Sequence, residues 1–435
     1  MSAQLIQEEI PSISPSASAS RPKKRAKIAF FGVFGIENLG NECTLQAILL
    51  NARRLLSNVD MYAISFGQVD TSLRHNLAAV PVTQQKFAVV VRRGGFWGRI
   101  ARLGRICRRI PNELKDWLMA IRALRGTDLI VMTGTGMLTD YATSALGFPY
   151  HVFRWTAAAR LAKCKVRFVS VGVGPIYERL SRWFIRMALS LADFRSFRDH
   201  NSKERIRKLG FFSENDYVFP DLVFSLPLNT FPSRLTGDRQ RCNVGLGVMD
   251  HLDVHLWTPE QHGAQYSGYL EKMCDFVTWL IEHSYSVRIL QGDSRHDAAT
   301  RADLKARLEK RGIRFEQAGI IDEASTTVEG LIAQIAKVDI VVSPRFHNLL
   351  LGLMMDIPAI SISYDPKNDC LLEGVGLGDY RQALTELNVN KLIDQFTRLT
   401  EQVEQVKPLI AAKTVEYRAQ LEEQYQLIFG EFAAK

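Results

Sequence analysis

Apolar runs and helix-patterned segments alternate along most of this chain. The first run, KIAFFGVF at 27–34, is apolar after its lysine, which is typical of a parallel strand buried on both faces of a sheet. A helix is predicted over 44–56, and further strands are predicted at 61–66, 86–91, 127–138 and 165–175. The first half of the chain therefore reads as repeated strand, turn and helix.

The stretch FRSFRDHNSKERIRKLG at 194–210 predicts a short strand followed by a helix. Asn201 is expected to cap this helix, Glu204 stands at the capping-box position, and Gly210 is expected to end it. One more strand is predicted at 217–226. Proline, glycine and charged residues then dominate 227–241, which is typical of a linker.

A second series of strands and helices follows this linker. Strands are predicted at 243–249, at 286–292 and within 338–365, and helices near 265–283 and 298–311. The tail after 381 is charged and helix-patterned, and we expect it to fold back across both domains.

Two such halves predict an α/β protein with two Rossmann-like domains that face a cleft, as in the two-domain glycosyltransferases known as GT-B. The Ser/Pro/Ala-rich start of the chain has the composition of a disordered tail. The predicted units are a disordered tail at 1–26, an N-terminal domain at 27–226, a linker at 227–241, a C-terminal domain at 242–380 and a helical segment at 381–435.

The composition is ordinary for a soluble protein, with 46% apolar and 23% charged residues. No apolar window is long enough to span a membrane, and the first residues lack the basic start and apolar core of a signal peptide. The six cysteines form no metal-binding or redox spacing, so we expect reduced thiols in a cytoplasmic protein.

The net charge of +9 is concentrated in two short segments. Residues 92–125 contain ten Lys or Arg against two acids, five more basic residues lie at 21–27, and the remainder of the chain is slightly acidic. A nucleic-acid-binding protein would more often spread its basic residues over a folded face, interleaved with aromatic residues. We therefore expect no nucleic-acid partner.

The basic segment at 92–125 is amphipathic, and two interpretations of it stay open. Its apolar residues fall at helical spacing while most arginines lie elsewhere around the helix, the apolar set being Phe96, Ile100, Leu103, Cys107 and Ile110. Such a helix can lie on an anionic membrane, here the inner face of the plasma membrane. It can equally cover a sheet with its apolar side and expose its basic side to water.

Six loops rich in small or polar residues follow predicted strands. They are 35–41, 134–136, 172–175, 198–199, 344–347 and 365–368. In open parallel sheets, ligands bind beyond the carboxyl ends of the strands, where a following helix N-terminus favours an anion. Each loop alone could be a tight turn and nothing more, but six together indicate a shared cleft.

Four cationic residues in these loops carry the most chemical information. Arg345 and His347 stand two apart before a predicted helix, and in an extended chain both side chains would leave on the same face. Lys367 follows the next strand, and Arg198 comes from the other domain. This set suits a compact, multiply charged anion, because guanidinium groups bind carboxylate or phosphate through two hydrogen bonds. The simpler alternative is that Arg345 pairs with an acid such as Asp356 and that His347 is a packing residue.

The sequence resembles the polysaccharide pyruvyl transferases from about 27 to 378. The segments that carry the resemblance are GIENLGNECTLQAIL, MTGTGML, VSVGVGP, SFRDHNS, FPDLVFSL, SPRFHNLLLGL and ISISYDPKN. The resemblance implies transfer of the enolpyruvyl unit of phosphoenolpyruvate to a saccharide, which forms a cyclic ketal across two hydroxyls in exopolysaccharide or cell-wall polysaccharide biosynthesis. The acceptor is expected to be a saccharide, free or attached to a lipid.

The resemblance also implies roles for the cationic residues. Arg198 and Arg345 would bind the phosphate and carboxylate of phosphoenolpyruvate, His347 would be the general acid and base, and Lys367 would add an anion contact or donate a proton. A histidine suits this work because it can both give and take protons near neutral pH. No metal and no cofactor is expected, since phosphoenolpyruvate is the donor substrate.

The first glycine-rich turn, GIENLGNE at 35–42, fits neither the Walker loop nor the dinucleotide fingerprint. Gly35 and Gly40 are expected to let the chain turn at the cleft. The acceptor is predicted to contact polar residues of this turn and glycines of neighbouring loops, namely Asn38, Asn41, Glu42, Gly134, Gly136 and Gly174.

Two other functions compete with pyruvyl transfer. A GT-B glycosyltransferase would use a sugar nucleotide, and many retaining members carry two glutamates separated by seven residues in the second domain. No such pair occurs between 240 and 380, and the pair Glu423 and Glu431 lies in the tail. A non-catalytic saccharide-binding subunit is the other alternative, although such a protein needs no cationic set.

The stretch HLDVH at 251–255 raises one further alternative. His251, Asp253 and His255 alternate as metal ligands on a strand could, but a solvated loop near the cleft rim is the favoured interpretation.

Overall fold

A computed structural model of the chain describes residues 25–84, 111–141, 143–227, 231–232, 241–250 and 258–433. Several predictions from the sequence fall outside these residues: nearly all of the tail at 1–26, the strand at 86–91, most of the linker, and the stretch at 251–255. The basic segment is described from residue 111 onward.

The N-terminal domain has a seven-stranded sheet. Its strands are β1 (Ala26–Phe31), β2 (Val59–Ser65), β3 (Ala78–Pro81), β4 (Leu129–Met132), β5 (Lys165–Val171), β6 (Phe194–Phe197) and β7 (Asp216–Val218). Its helices are α1 (Leu39–Leu55), α2 (Gln68–His75), α3 (111–124), α4 (Phe148–Leu161), α5 (Arg179–Ser190) and α6 (His200–Lys208), followed by a 3-10 helix at Leu222–Ser225. The strand order is β3-β2-β1-β4-β5-β6-β7, and every pairing is parallel.

The C-terminal domain repeats this design with six strands. They are β8 (Asn243–Gly247), β9 (Ser286–Leu290), β10 (Ile320–Ile321), β11 (Ile340–Ser343), β12 (Ala359–Ser363) and β13 (Arg381–Ala383), in the order β10-β9-β8-β11-β12-β13. Its helices are α7 (Pro259–Glu282), α8 (Asp297–Lys310), α9 (Phe315–Ala318), α10 (Val328–Ile335), α11 (Phe346–Met354) and α12 (Pro366–Gly374). These pairings are also all parallel.

The central strands are buried because helices cover both faces of each sheet. Every residue of β4, β11 and β12 is buried, and so are the last four residues of β1. Continuous apolar runs are the sequence signature of such strands. In both sheets the strand order reverses at the first strand of the domain, between β1 and β4 and between β8 and β11, and ligands bind beside such a reversal. The prediction of two Rossmann-like domains is confirmed.

Two helices complete the chain, α13 (Val389–Glu401) and α14 (Val403–Ala433). Gln424 of α14 hydrogen-bonds to Ser170 of β5 and Ser196 of β6, so the helix is anchored in the N-terminal domain. At the middle of α14, Tyr417 packs against the 3-10 helix and lies beside Gly374 of α12. The predicted return of the tail across both domains is confirmed.

The structure corrects three boundaries predicted from the sequence. The side chain of Asp199 accepts a hydrogen bond from the backbone N–H of Ser202 at 2.6 Å, so Asp199 caps α6 and the assignment of Asn201 was wrong. Helix α1 begins at Leu39, five residues before the predicted start. Strand β13 lies within the segment from 381 that was predicted to be helical. Gly210 does follow α6 with a φ of 76°, as a glycine that ends a helix should.

Candidate functional site

All six loops predicted from the sequence follow strand ends that face the cleft. The strands concerned are β1, β4, β5, β6, β11 and β12. The two domains touch here, since the N–H of Leu39 at the start of α1 donates to the carbonyl of Gly292 after β9 at 3.1 Å. The carboxyl ends of both sheets therefore bound one interdomain cleft.

Arg198 follows β6 and brings a cation of the N-terminal domain to this cleft. Its guanidinium lies over the ring of Phe346 in α11, 4.5 Å from the centroid. Nη1 lies 3.4 Å from Asp221 Oδ2, and Nε lies 3.6 Å from Asp199 Oδ2. Burial lowers the pKa of Arg198, but the carboxylates of Asp221, Asp199 and Asp365 outweigh that effect and raise it overall. The guanidinium is therefore charged although it is nearly covered.

His347 is the second residue of α11, and its imidazole faces the first turn of the N-terminal domain. A Cβ atom added to Gly40 would lie 2.6 Å from Cγ and Cε1 of the ring, so the two domains approach here over a glycine. Nε2 is covered by protein and has no hydrogen-bond partner among the described residues. This nitrogen is free to act on a ligand.

The surroundings of His347 keep its imidazole neutral. Burial is the largest effect and lowers the pKa to about 4, Asp221 opposes the shift, and Arg198 and Lys367 add to it. Without a ligand, the imidazole is therefore a weak base at neutral pH and is not present as the acidic imidazolium.

Lys367 is the second residue of α12 and lies near charged groups of both domains. Its ammonium lies over the ring of Tyr364, 4.6 Å from the centroid, and its backbone N–H donates to Asp365 at 2.9 Å. Burial raises the pKa of Asp365, but Lys367, Arg205 and Arg198 outweigh it, so the pKa is lowered. Asp365 is thus an anion shared between cations of the two domains.

The stretch from Arg345 to His347 lacks the extended backbone on which the prediction of a shared face rested. Arg345 is the N-cap of α11 and helical geometry begins at the next residue, so the alternation of an extended chain does not apply. Its guanidinium pairs with the buried Asp297 through Nε at 3.1 Å and through Nη2. Asp297 also raises the pKa of Arg345 above its usual value against the effect of burial, and Tyr364 contributes in the same direction. Tyr364, over whose ring the ammonium of Lys367 lies, is therefore also within electrostatic range of Arg345.

The polar residues of the first turn hold the turn and the domain contact together. The side chain of Asn38 accepts the N–H of Asn41 at 3.2 Å, and its amide donates to Asp293 of the other domain at 3.3 Å. The amide of Asn41 donates to the carbonyl of Val33 at 2.9 Å. These contacts lie within the protein.

Glu42 is fully buried in the same turn. It accepts the N–H of Gly35 at 2.8 Å and lies 2.8 Å from Nε2 of His75. Gly35 itself has a φ of 72° and lies against the backbone of Gly67. Acceptor binding by this turn stays a prediction, since its polar side chains already have partners inside the protein.

The remaining glycines of the predicted site differ in how tightly they are packed. A Cβ added to Gly134 would lie 2.8 Å from the carbonyl of Ser170, and one on Gly174 would lie 2.7 Å from Oγ1 of Thr139. Gly136 is exposed and has no atom within 4 Å of such a position. Of these three glycines, Gly134 and Gly174 cannot accept a Cβ unless their neighbours move, whereas Gly136 can.

Arg198 and Lys367 reach open space in a cavity of about 930 Å³. The cavity lies between β7, α6, α12 and α14, and its other lining includes the aromatic residues Tyr217 and Tyr417 and the carboxylate of Glu416. Its volume is within the range of ligand-binding sites.

The family model for polysaccharide pyruvyl transferase matches residues 57–366, more than two thirds of the chain. The chain belongs to the polysaccharide pyruvyl transferase family. The match includes Arg198, Arg345 and His347, whereas the first turn precedes it and Lys367 follows its last residue. Among curated proteins, no sequence matches the chain.

Solved structures of similar architecture include nucleotide-sugar enzymes. UDP-GlcNAc 2-epimerase from Neisseria meningitidis, bound to UDP-GlcNAc, is 10% identical with a TM-score of 0.51, over 92% of this chain and 100% of the epimerase. HepE from Anabaena, in complex with UDP, is 12% identical with a TM-score of 0.56, over 94% and 100%. A glycosyltransferase from Rickettsia africae is 11% identical with a TM-score of 0.54, over 93% and 99%. At this identity the likeness concerns the fold, which in this family member is the GT-B arrangement.

Two acids of the site were not predicted from the sequence. Asp221 lies beside Arg198, and Asp297 holds Arg345. Asp221 stands in the FPDLVFSL segment, just after β7, and caps the 3-10 helix through the N–H of Val223. Both acids follow strands of the cleft, so a search for carboxylates near those strand ends could have found them.

Within the described residues, no group of three or more His, Cys, Asp or Glu side chains is arranged to hold a metal ion. The described helices include none long and apolar enough to cross a membrane.

Proposed function

We propose that this family member transfers the enolpyruvyl unit of phosphoenolpyruvate to two hydroxyls of a saccharide and releases phosphate. The observation that carries the proposal is the cluster around His347. An unpartnered imidazole nitrogen lies among cations from both domains, within electrostatic reach of Arg198 and Lys367. A general acid and base surrounded by cations is what an anionic enol donor requires.

The chemistry needs one proton delivered to carbon and two removed from oxygen. A proton added to the methylene carbon makes the neighbouring carbon electrophilic, and a sugar hydroxyl attacks that carbon and loses its proton. The carbon–oxygen bond to phosphate then breaks, and phosphate leaves with the electron pair. A second hydroxyl closes the ketal and loses its proton, which balances the proton taken by the departing phosphate.

Arg198 and Lys367 are proposed to bind one end of the donor, and Arg345 the other. Tyr364 supports this arrangement, because the ammonium of Lys367 lies over its ring and Arg345 lies within its electrostatic range. Each charge-assisted hydrogen bond contributes about 1.5–3 kcal/mol net. Three such cations are therefore sufficient to hold a small polyanion.

His347 is proposed to become the acid only when the donor is bound. Its pKa of about 4 is set by burial and by two neighbouring cations. The phosphate and carboxylate of phosphoenolpyruvate would neutralise those cations and raise the pKa, so the imidazole would take up a proton together with the donor. The same nitrogen could later accept the proton of a sugar hydroxyl.

The test is phosphate release from phosphoenolpyruvate across a panel of model and lipid-linked glycosides, with mass spectrometry of the product. The expected product carries a pyruvate ketal. His347→Ala should abolish turnover while phosphoenolpyruvate still raises the melting temperature. Stabilisation by UDP-sugars but not by phosphoenolpyruvate would refute the proposal in favour of a sugar-nucleotide enzyme. Absence of phosphate release with every acceptor would favour a non-catalytic saccharide-binding protein.

A further inference from the structure

Exposed apolar side chains are concentrated on one part of the N-terminal domain. Fifteen large apolar side chains are exposed in the described residues, and seven of them lie on α3, α4 and α5 or in the loop before α4. These seven are Leu114, Leu118, Leu146, Leu161, Leu180, Trp183 and Met187. Single exposed apolar residues are normal on a protein surface, but a cluster indicates an interaction site.

Helix α5 presents two parallel stripes to solvent. Leu180, Trp183 and Met187 are spaced three and four residues apart, so they lie on one face of the helix, and Trp183 is 49% exposed. Each is preceded by an exposed arginine, which places the basic stripe of Arg179, Arg182 and Arg186 beside the apolar one. The helix contains no acidic residue.

An aromatic row joins α5 to α3 across the intervening helix. The ring of Trp183 lies 5.4 Å from Phe153 of α4, and Phe153 lies 6.3 Å from Trp117 of α3. Trp117 stands between the exposed Leu114 and Leu118 on its own helix. We call this continuous face the α3–α5 surface, defined by Leu114, Trp117, Leu118, Phe153, Leu180, Trp183 and Met187 with the three arginines of α5.

The charge of this surface indicates the nature of its partner. Besides the three arginines of α5, α3 exposes Lys115 and Arg122, which are two of the ten basic residues that the sequence holds at 92–125 against two acids. Tryptophan and leucine beside arginine is the composition of a face that lies at the boundary between lipid headgroups and acyl chains. Anionic lipid complements both properties at once.

One end of the α3–α5 surface lies near the cleft. Helices α4 and α5 start from the loops after β4 and β5, so their first turns stand at the carboxyl edge of the sheet. Leu180, in the first turn of α5, therefore lies at the cleft end of the surface.

We propose that the α3–α5 surface docks this protein on an anionic phospholipid bilayer. The cleft end of the surface then lies at the membrane, where a saccharide attached to a lipid carrier would be presented. This last consequence rests on the proposed function, whereas the docking itself does not.

The experiment is vesicle flotation of the full-length protein. The two vesicle types are phosphatidylcholine alone and phosphatidylcholine mixed with phosphatidylglycerol. The protein should float with the anionic vesicles and be released by salt. The triple variant Arg179→Gln, Arg182→Gln, Arg186→Gln should bind them about 100-fold more weakly, from about 1 kcal/mol for each basic residue near the surface. Trp183→Ser should weaken binding as well.

The control removes the same charge elsewhere on the protein. Lys208→Gln, Lys310→Gln and Lys391→Gln together change exposed lysines outside the surface and should leave flotation unchanged. Equal loss in this control, or equal binding to both vesicle types, would overturn the proposal. Light scattering of the arginine variant provides a second check: a shift from dimer to monomer with unchanged flotation would show that a second copy of the chain occupies the surface.

Phosphate release with a water-soluble acceptor separates this proposal from the proposed function. The arginine variant should retain that activity, because none of its substituted residues touches the site. Flotation without any phosphate release would leave docking established and refute pyruvyl transfer.

Discussion

Gly40→Ala is the substitution that tests most directly whether the position of His347 matters. The added Cβ would lie 2.6 Å from Cγ and Cε1 of the imidazole, whereas ordinary contacts begin at about 3.4 Å. Nδ1 of the ring would be closer still, so the ring or the whole of α11 must retreat by more than an ångström. A displacement of this size at a reacting group can cost about 100-fold in rate. We expect kcat for phosphate release to fall by about that factor.

The substitution is informative because the helix itself should tolerate it. Gly40 lies in the first turn of α1 and its φ is not positive, so alanine would favour the helical backbone by up to about 1 kcal/mol. Loss of activity with a folded protein would then come from the contact between the domains. The melting temperature and circular dichroism of the variant check that condition.

Gly268→Ala is the matched control. Gly268 is also a helical glycine without a positive φ, it is exposed on α7 away from the cleft loops, and a Cβ there meets no atom within 4 Å. This variant should keep the wild-type kcat. Normal turnover by Gly40→Ala, or an equal loss in Gly268→Ala, would refute the reasoning that the glycine at 40 sets the position of the imidazole.

Three further predictions concern charge. Arg198→Lys keeps the charge but loses the two-pronged contact, so KM for phosphoenolpyruvate should rise about 10-fold or more, and an unchanged KM would remove Arg198 from donor binding. Donor binding should be accompanied by proton uptake at neutral pH, measured by calorimetry in buffers of different ionisation enthalpy. In His347→Gln the number of protons taken up should fall by the share that His347 contributes. Burial lowers the pKa of His151 to about 3, below its unfolded value, so the folded state resists protonation and stability falls as the pH drops from 7 towards 3. At pH 5 His151 should cost about 2 kcal/mol of unfolding free energy relative to pH 7, and urea titrations of His151→Gln at both pH values should show that this share is gone.

The architecture could be predicted because its signals are local. Buried parallel strands are continuous apolar runs, and the loops that follow them carry the small and polar residues of the cleft. Arg198, His347 and Lys367 could therefore be placed at strand ends from the sequence alone. The helical tail was likewise readable from its pattern, and its return across both domains is observed.

Contacts between distant parts of the chain could not be read in the same way. Asn38 and Asn41 have the composition of a ligand-binding turn, yet Asn38 bonds to Asp293, which is 255 residues away. A polar residue in a loop has no local signature that distinguishes a ligand contact from a domain contact. The start of α11 was misplaced for a related reason. The sequence prediction put the helix after His347, whereas it begins at Phe346, so the alternation of an extended chain does not apply there.

The acids of the site change what its cations can do. Each of the three cations lies near a carboxylate, in the pairs Arg198–Asp221, Arg345–Asp297 and Lys367–Asp365. The empty site is therefore close to electrically balanced, and a donor with several negative charges would leave it negative. Protonation of His347 is the nearest means of restoring the balance, because its nitrogen is covered and unpartnered. We therefore expect a phosphoenolpyruvate donor to create the acid that its own methylene carbon would require, whereas a saccharide arriving first would meet a neutral imidazole that is too weak an acid to protonate carbon.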